Sequence, residues 1–394
     1  MTRVAVIGGG VIGGGWVARF SENGIPVRVF DPDPEAARTI GEICANAARA
    51  YEKLTLAPRP EKGAVSFHGS IAEAVAGADW IVEAVPERIE LKRRVYSEIE
   101  AANEAGVIAS STSGYRPTEL QAGMAHPERL VVAHPFNPVY LLPLVEIVAG
   151  ERTAPETVAQ AKAFYERIGM FPLHVRKEID AFIADRLLEA VWREGLWLIH
   201  DGIATTEEID EAIRMGFGLR WAQMGLFETY RIAGGEAGMR HFISQFGPAL
   251  KWPWTKLMDV PELTEALTEA IASQSDAQSG RFSIRELERK RDDNLVAILQ
   301  ALKGNDWGAG RVLAAYEKRL FDLGAAKPAS DLSGPIETVS TRVAPDWTDY
   351  NGHMNEARYL QVFADASDAF MRIIGCDADY IAAGGSYFTV ETHI

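Results

Sequence analysis

The sequence predicts a doubly wound α/β domain, then an all-α domain, then a short α+β segment. A glycine-rich turn joins a strand to a helix at the start of the chain. Strand and helix patterns alternate from there to about residue 178, and helical periodicity alone continues to about Leu323. Alternation of this kind implies a mainly parallel sheet covered by helices on both faces.

The opening element carries the most information. Val4 to Ile7 is an apolar run of strand length that leads into Gly8-x-Gly10-x-x-Gly13. Trp16, Val17 and Phe20 follow at helical spacing, and a second strand beginning at Pro26 ends at Asp31. Gly8 permits the tight turn, Gly10 lets a pyrophosphate approach the backbone, and Gly13 lets helix and strand pack closely. The pyrophosphate would sit on the free N–H groups at the positive end of the helix. Asp31 would accept hydrogen bonds from the adenosine ribose and repel a 2′-phosphate, which favours NAD over NADP. Arg28, inside the strand, offers no evident rescue for that phosphate. The cofactor candidates are Gly8, Gly10, Val11, Ile12, Gly13, Asp31 and, at the end of a later strand, Glu83. This is an NAD-binding Rossmann unit.

A helix is expected from Pro34 to about Leu54, a strand from Ala64 to His68, a short helix from Ile71 to Ala76 and a strand from Asp79 to Val85. Glu87 to Ala102 is amphipathic and helical, and Val107 to Ser110 is a buried strand. Strands at Leu130 to Ala133 and Leu144 to Val148 flank an irregular loop. A helix from Pro155 to Ile168 and a strand from Pro172 to Val175 complete the first domain, residues 1–178. From Ile179 a long helix carries a wide apolar stripe (Phe182, Ile183, Leu187, Leu188, Val191, Trp192) and should end at Asp201-Gly202. Thr205-x-x-Glu208 is a capping box that opens the next helix. The all-α domain is residues 179–323. Residues 324–334 are small and polar and read as a linker. Residues 335–394 suggest a strand from Glu337 to Val343, a helix from about Asn355 to Ile374 and an alternating strand from Ser386 onward. Some sixty residues lie near the lower limit for a core of their own.

Composition narrows the partners. At 394 residues with a formal net charge of -15, the chain lacks the basic face that nucleic acid or an anionic membrane would need. The most apolar run, around Leu130 to Val148, is interrupted by His134, Pro135, Asn137, Pro138 and Glu146, so no membrane span is expected. Two distant cysteines, Cys44 and Cys376, make no metal or redox pattern and suggest a reducing cytoplasm. No signal peptide fits ahead of a strand that begins so close to Met1.

Two segments carry candidate chemistry, Ser110-Ser-Thr-Ser-Gly114 and His134-Pro-Phe-Asn-Pro-Val-Tyr-Leu-Leu-Pro-Leu-Val-Glu146. His134 follows a strand directly, which puts it at the carboxyl edge of the sheet, where doubly wound folds bind ligands. Oxidising an alcohol needs a base for the hydroxyl proton, and histidine titrates near working pH. Glu146 on the next strand could orient its second ring nitrogen. From spacing alone, a loop histidine beside a solvated glutamate fits equally well.

These segments resemble the signature of the L-3-hydroxyacyl-CoA dehydrogenase family, over roughly Arg3 to Leu323. The resemblance implies a Rossmann domain followed by a helical domain that forms a homodimer. It implies His134 as general acid/base, Glu146 as its orienting carboxylate, Ser113 as a hydrogen-bond donor to the substrate oxygen and Asn137 at the nicotinamide end. Two departures stand out. Acyl-CoA members carry Phe-Ile-x-Asn-Arg where this chain has Phe182-Ile-Ala-Asp185-Arg186, and no CoA-contacting region is recognisable around Ala48 to Lys62. The His134 loop and Gly218-Leu-Arg220-Trp221 are more similar to the lambda-crystallin-like branch, which oxidises small hydroxy acids. Trp347-Thr-Asp349-Tyr-Asn-Gly-His-Met-Asn355 resembles the hotdog thioesterase motif, with Asp349 as its carboxylate. The alternative there is an Asx-type turn capping a helix. A whole hotdog needs more strands, so a truncated fragment without thioesterase activity is expected.

That fusion is similar to a bacterial subset of L-carnitine dehydrogenases, which implies NAD-dependent oxidation of a small 3-hydroxy acid, carnitine foremost. Gulonate-type acids and 3-hydroxyacyl-CoA are the alternatives. A quaternary ammonium donates no hydrogen bond and is held by aromatic faces and a nearby anion. Tyr140, Phe217 and Trp221 are the leading aromatic candidates, with Trp192, Phe227 and Tyr230 behind them. Asp185 is the candidate anion and Arg220 the candidate partner for the substrate carboxylate. At helical spacing, any one of these aromatics fits a core position more readily than a binding cage.

Overall fold

The computed structural model describes residues 2–55, 57–233, 238–246, 262, 264–279, 281–325, 336, 338–339, 343, 347–348, 353–376, 380 and 383–385. The first domain runs β1 (Val4–Ile7), α1 (Val11–Glu22), β2 (Val27–Phe30), α2 (Ala36–Leu54), β3 (Val65–Phe67), α3 (Ile71–Val75), β4 (Trp80–Glu83), α4 (Ile89–Ala102), β5 (Val107–Ser110), α5 (Pro117–Leu120), β6 (Leu130–Pro135), β7 (Leu144–Val148), α6 (Pro155–Arg167) and β8 (Phe171–Val175). The strands form one sheet in the order β3-β2-β1-β4-β5-β6-β7-β8. The order reverses between β1 and β4, beside the glycine turn, where open α/β sheets bind ligands. Central strands β1, β4, β5 and β6 are buried throughout, as apolar runs covered on both faces require. One core layer gathers Trp16, Phe20, Trp80, Phe164 and Tyr165, and the opposite layer gathers Ile81, Tyr96, Ile99, Ile108 and Phe182.

The sheet departs from pure parallel pairing once. β7 runs antiparallel to β6, because the connection between them is a short irregular loop with no crossover helix. That reversal puts His134 directly opposite Glu146. The loop is held from below by Arg19 of α1, whose buried guanidinium donates to the carbonyls of Val139 (2.7 Å), Leu142 (3.1 Å) and Ile168 (3.0 Å).

The second region is helical among its described residues: α7 (Ala184–His200), α8 (Thr206–Ala212), α9 (Gly218–Ala233), α10 (Gly238–Phe246), α11 (Glu265–Ser279), α12 (Ile284–Gly304) and α13 (Ala309–Ala325). The Thr205 capping box opens α8, and Gly202 stands just past the end of α7 with φ +67°. α7 begins five residues later than the apolar stripe suggests. Ala181 and Phe182 adopt left-handed φ values of 57° and 51°, which breaks the helix before it starts. α12 and α13 pack back onto α2 through Tyr51, Leu54, Leu299, Leu313 and Tyr316. α14 (Glu356–Ile373) is the helix expected near the C-terminus. The expected strand from Ser386 lies outside the described residues, as do most of Glu337 to Val343, residues 326–334 of the linker, and Asp349. No described helix is long and apolar enough to cross a membrane.

Candidate active site

The dinucleotide turn has the shape its glycines require. Gly8 has φ +100°, and a Cβ there would come within 2.5 Å of the Ala84 carbonyl oxygen. A Cβ on Gly13 would run into the Gly8 carbonyl oxygen, so helix and strand could not close. Beside Gly10 the space is open to 4 Å. Gly10 also begins α1 without a side-chain cap, and no acidic residue occupies the first turn. The N–H groups of Val11, Ile12 and Gly13 thus open a helix with nothing anionic of the chain's own against them, which fits a pyrophosphate. Asp31 is pinned at the end of β2 by the N–H groups of Gly9 (2.5 Å) and Asp33 (2.7 Å). Arg28 is committed to the carbonyls of Ala76 and Glu73 and to His68, so it is not free to meet a 2′-phosphate beside Asp31.

His134 Nδ1 lies 3.0 Å from Glu146 Oε2. A carboxylate only accepts, so this bond places a proton on Nδ1 and leaves Nε2 as the nitrogen with the free lone pair. Glu146 is fully buried, and its other oxygen accepts the N–H groups of Ile183 (3.0 Å) and Ala184 (3.1 Å) at the start of α7. One carboxylate therefore orients the histidine and caps the first helix of the second region. Asp185, in the first turn of α7, brings Oδ2 to 3.5 Å from His134 Nε2. Burial pushes the Asp185 carboxyl up. The His134 ring offsets part of this, and Glu146 and Glu189 push in the same direction as burial. Phe136 stands edge-on to the His134 ring at 5.1 Å, and buried Phe182 closes the other side at 5.5 Å.

A second network lies at the ends of β4 and β5, beside the glycine turn. Glu83 is fully buried and accepts from Lys92 Nζ (2.8 Å), Tyr96 (2.6 Å), Ser110 (2.7 Å) and the Val85 N–H (2.9 Å). Lys92 also pairs with Glu87 at 3.1 Å, and Glu87 accepts from the Thr112 hydroxyl and the Gly114 N–H (3.0 Å). These bonds set the loop that carries Ser113. Burial pushes the Glu87 carboxyl up, but Lys92, Thr112 and Gly114 outweigh it and hold the group below the usual range. Burial and the adjacent Glu83 carboxylate push the Tyr96 phenol well up.

The structure thus gathers His134, Glu146 and Asp185, and leaves Ser113 and Asn137 exposed at the same sheet edge. Other expectations need correction. Glu83 reaches its strand end, but its oxygens are consumed inside the protein, so it braces the strand ends and offers no free oxygen to a cofactor. Tyr140 is 4% exposed and packs among α2, α12 and α13, with its hydroxyl donating to buried Asp292 at 2.7 Å. The loop turns this side chain away from His134 into the core. Phe217 and Trp221 lie against each other with ring centroids 4.6 Å apart and planes tilted by 59°, and no described contact joins them or exposed Arg220 to the groups around His134. α9, which carries Arg220 and Trp221, packs instead on α10 and on the wide turn before it. Glu87, Lys92 and Phe136 were not singled out by sequence, and Phe182 was read as part of an apolar helical stripe and not as a neighbour of His134. Lys92 carried a usable signal, since it shares the helical stripe of Val95, Tyr96 and Ile99. A lysine on an apolar stripe needs a buried partner.

Residues 3–179 match the family model for the NAD-binding domain of 3-hydroxyacyl-CoA dehydrogenases. Residues 182–272 match that family's C-terminal domain, and residues 343–394 match the thioesterase-like superfamily. A protein of Ruegeria pomeroyi described as L-carnitine dehydrogenase/betainyl-CoA thioesterase is 64% identical over 400 residues, covering 100% of this chain and 81% of that protein. An L-carnitine dehydrogenase of Mesorhizobium japonicum is 60% identical over 336 residues, covering 84% of this chain and 92% of its own. Among solved structures, an NAD+-dependent 5-formyl-3-hydroxy-2-methylpyridine 4-carboxylic acid 5-dehydrogenase aligns with a TM-score of 0.65. It is 30% identical and covers 77% of this chain and 99% of its own. With a cradle that fits NAD and a sheet edge bearing histidine and glutamate, the chain is an NAD-dependent dehydrogenase that belongs to the 3-hydroxyacyl-CoA dehydrogenase family.

Proposed function

We propose that the protein oxidises the 3-hydroxyl of L-carnitine to 3-dehydrocarnitine, with His134 and Glu146 as its acid–base pair. The observation that carries this reading is the 3.0 Å contact between His134 Nδ1 and buried Glu146 at the carboxyl edge of the sheet. Similarity to an L-carnitine dehydrogenase over 84% of the chain, and to an L-carnitine dehydrogenase/betainyl-CoA thioesterase over all of it, supports the substrate. Neutral His134 takes the hydroxyl proton at Nε2. The imidazolium that forms is stabilised by Glu146, because its Nδ1 bond becomes charge-assisted. Ser113 donates to the substrate oxygen from the loop set by Glu87, and Asn137 shapes the nicotinamide end. The glycine turn and Asp31 would hold NAD, which would supply the acceptor for the hydride of the carbinol carbon. We also infer a homodimer built on the helical region, supported by the exposed apolar residues Leu187, Leu188 and Trp192 of α7. The cytoplasm, which supplies NAD, suits the free thiols Cys44 and Cys376.

The test is NADH formation at alkaline pH with L-carnitine, gulonate and 3-hydroxybutyryl-CoA side by side. Turnover of carnitine alone is expected. Turnover confined to gulonate or to the CoA ester overturns the substrate assignment.

A further inference from the structure

We propose that the Asp185 carboxylate selects substrates bearing a cation beside the reacting alcohol, and so rejects neutral 3-hydroxy acids of the same shape. The proposal rests on the acid–base role given to His134 above. An alcohol that gives its proton to Nε2 sits about 2.8 Å from that nitrogen. A charged group on the neighbouring carbon is then within reach of Asp185 Oδ2, itself 3.5 Å from Nε2. Asp185 is rigidly placed, because Glu146 caps the two N–H groups just before it, and it is only 21% exposed. Among the described residues, His134 is the one basic group within ion-pair distance of it. To accept the hydroxyl proton, that histidine must start neutral, so the Asp185 charge has no counter-ion when substrate arrives. Glu189, one turn further along α7, adds to the local negative potential, while Glu146 is already committed to three donors. A quaternary ammonium supplies the missing charge. Asp185 also separates that cation from the imidazolium formed as oxidation proceeds, two positive charges that would otherwise face each other in a poorly solvated site.

The test uses two unreactive ligands of one shape, 4-trimethylammoniobutanoate and its carbon isostere 5,5-dimethylhexanoate. Their binding to the full chain saturated with NAD is measured by calorimetry. The wild type should prefer the betaine by at least about tenfold. Asp185→Asn should erase the preference by weakening the betaine alone, and Asp185→Glu should keep most of it. In turnover, Asp185→Asn should raise the KM for L-carnitine far more than it lowers kcat. A wild type without preference, an Asp185→Asn variant that keeps it, or a variant that loses both ligands equally overturns the proposal. A wild type that prefers the betaine yet leaves L-carnitine unoxidised sustains the charge assignment and sinks the substrate reading instead.

Discussion

Glu146 divides two tasks between two oxygens, and a single-atom change separates them. In Glu146→Gln the amide oxygen can still accept from the Ile183 and Ala184 N–H groups while the NH2 turns to His134 Nδ1, which forces the imidazole proton onto Nε2, the nitrogen that must take the substrate proton. The wrong tautomer should cost kcat about 10²- to 10⁴-fold, and a neutral cap in place of a charged one about 1 kcal/mol of stability. His134→Gln should lose kcat on the same scale while keeping the Glu146 cap on α7, so its unfolding midpoint should move much less. Steady-state rates and urea unfolding of the two variants check both statements. Equal destabilisation would show that the cap carries no weight. At this scale the sequence was legible where strand edges fix a side chain's position, as for His134 and Glu146. It was illegible where a loop decides which way a ring turns. Tyr140 follows His134 by six residues, and nothing local says that its hydroxyl meets Asp292 across the fold.

The helix α4 and the strand ends it faces form one electrostatic unit. Lys92 neutralises buried Glu83 and holds Glu87, which in turn holds Thr112 and Gly114. Lys92→Met would leave Glu83 as an unpaired buried charge, and a loss of about 3–5 kcal/mol is expected, read by chemical unfolding. Glu87 gives a pH signature of definite sign. Its folded pKa lies below the ordinary carboxylate value, so its stabilisation is complete above about pH 4.3 and fades as pH falls through the folded value. Glu87→Gln should therefore be less stable than wild type at neutral pH and converge with it once the pH falls below the folded value, as followed by thermal unfolding across pH. Curves that stay parallel would show that the Lys92, Thr112 and Gly114 contacts contribute nothing net. Most element positions were readable, since apolar runs and helical stripes fix them. The start of α7 was not, because Ala181 and Phe182 are left-handed without being glycine. Tertiary contacts hold them there: Phe182 is fully buried against His134, and Glu146 anchors the next two amides.

Across the whole molecule, the order of an α/β unit and a helical unit was plain from the change in periodicity, but what covers the helices is a matter of surface. α7 carries Leu187 and Leu188 at 56% exposure and Trp192 at 59%, on the helix whose first turn contributes Asp185 to the site. Soluble chains rarely leave large contiguous apolar faces in water, and each such side chain gains about 1.5–3 kcal/mol when fully buried. A second copy is the partner that offers the same face, and a two-fold axis lets one helix meet its equivalent. The wild type should therefore sediment as a dimer at micromolar concentration, and Leu188→Glu with Trp192→Glu should shift it toward monomer. Because α1, β2 and the glycine turn lie outside this face, the monomeric variant should bind NADH as the wild type does. Its KM for the hydroxy acid should rise, since α7 then loses the packing that holds Asp185 against His134. A wild type that sediments as monomer ends the dimer reading. A monomeric variant with unchanged KM would mean that Glu146 alone, through its two bonds to the start of α7, fixes the substrate side of the site.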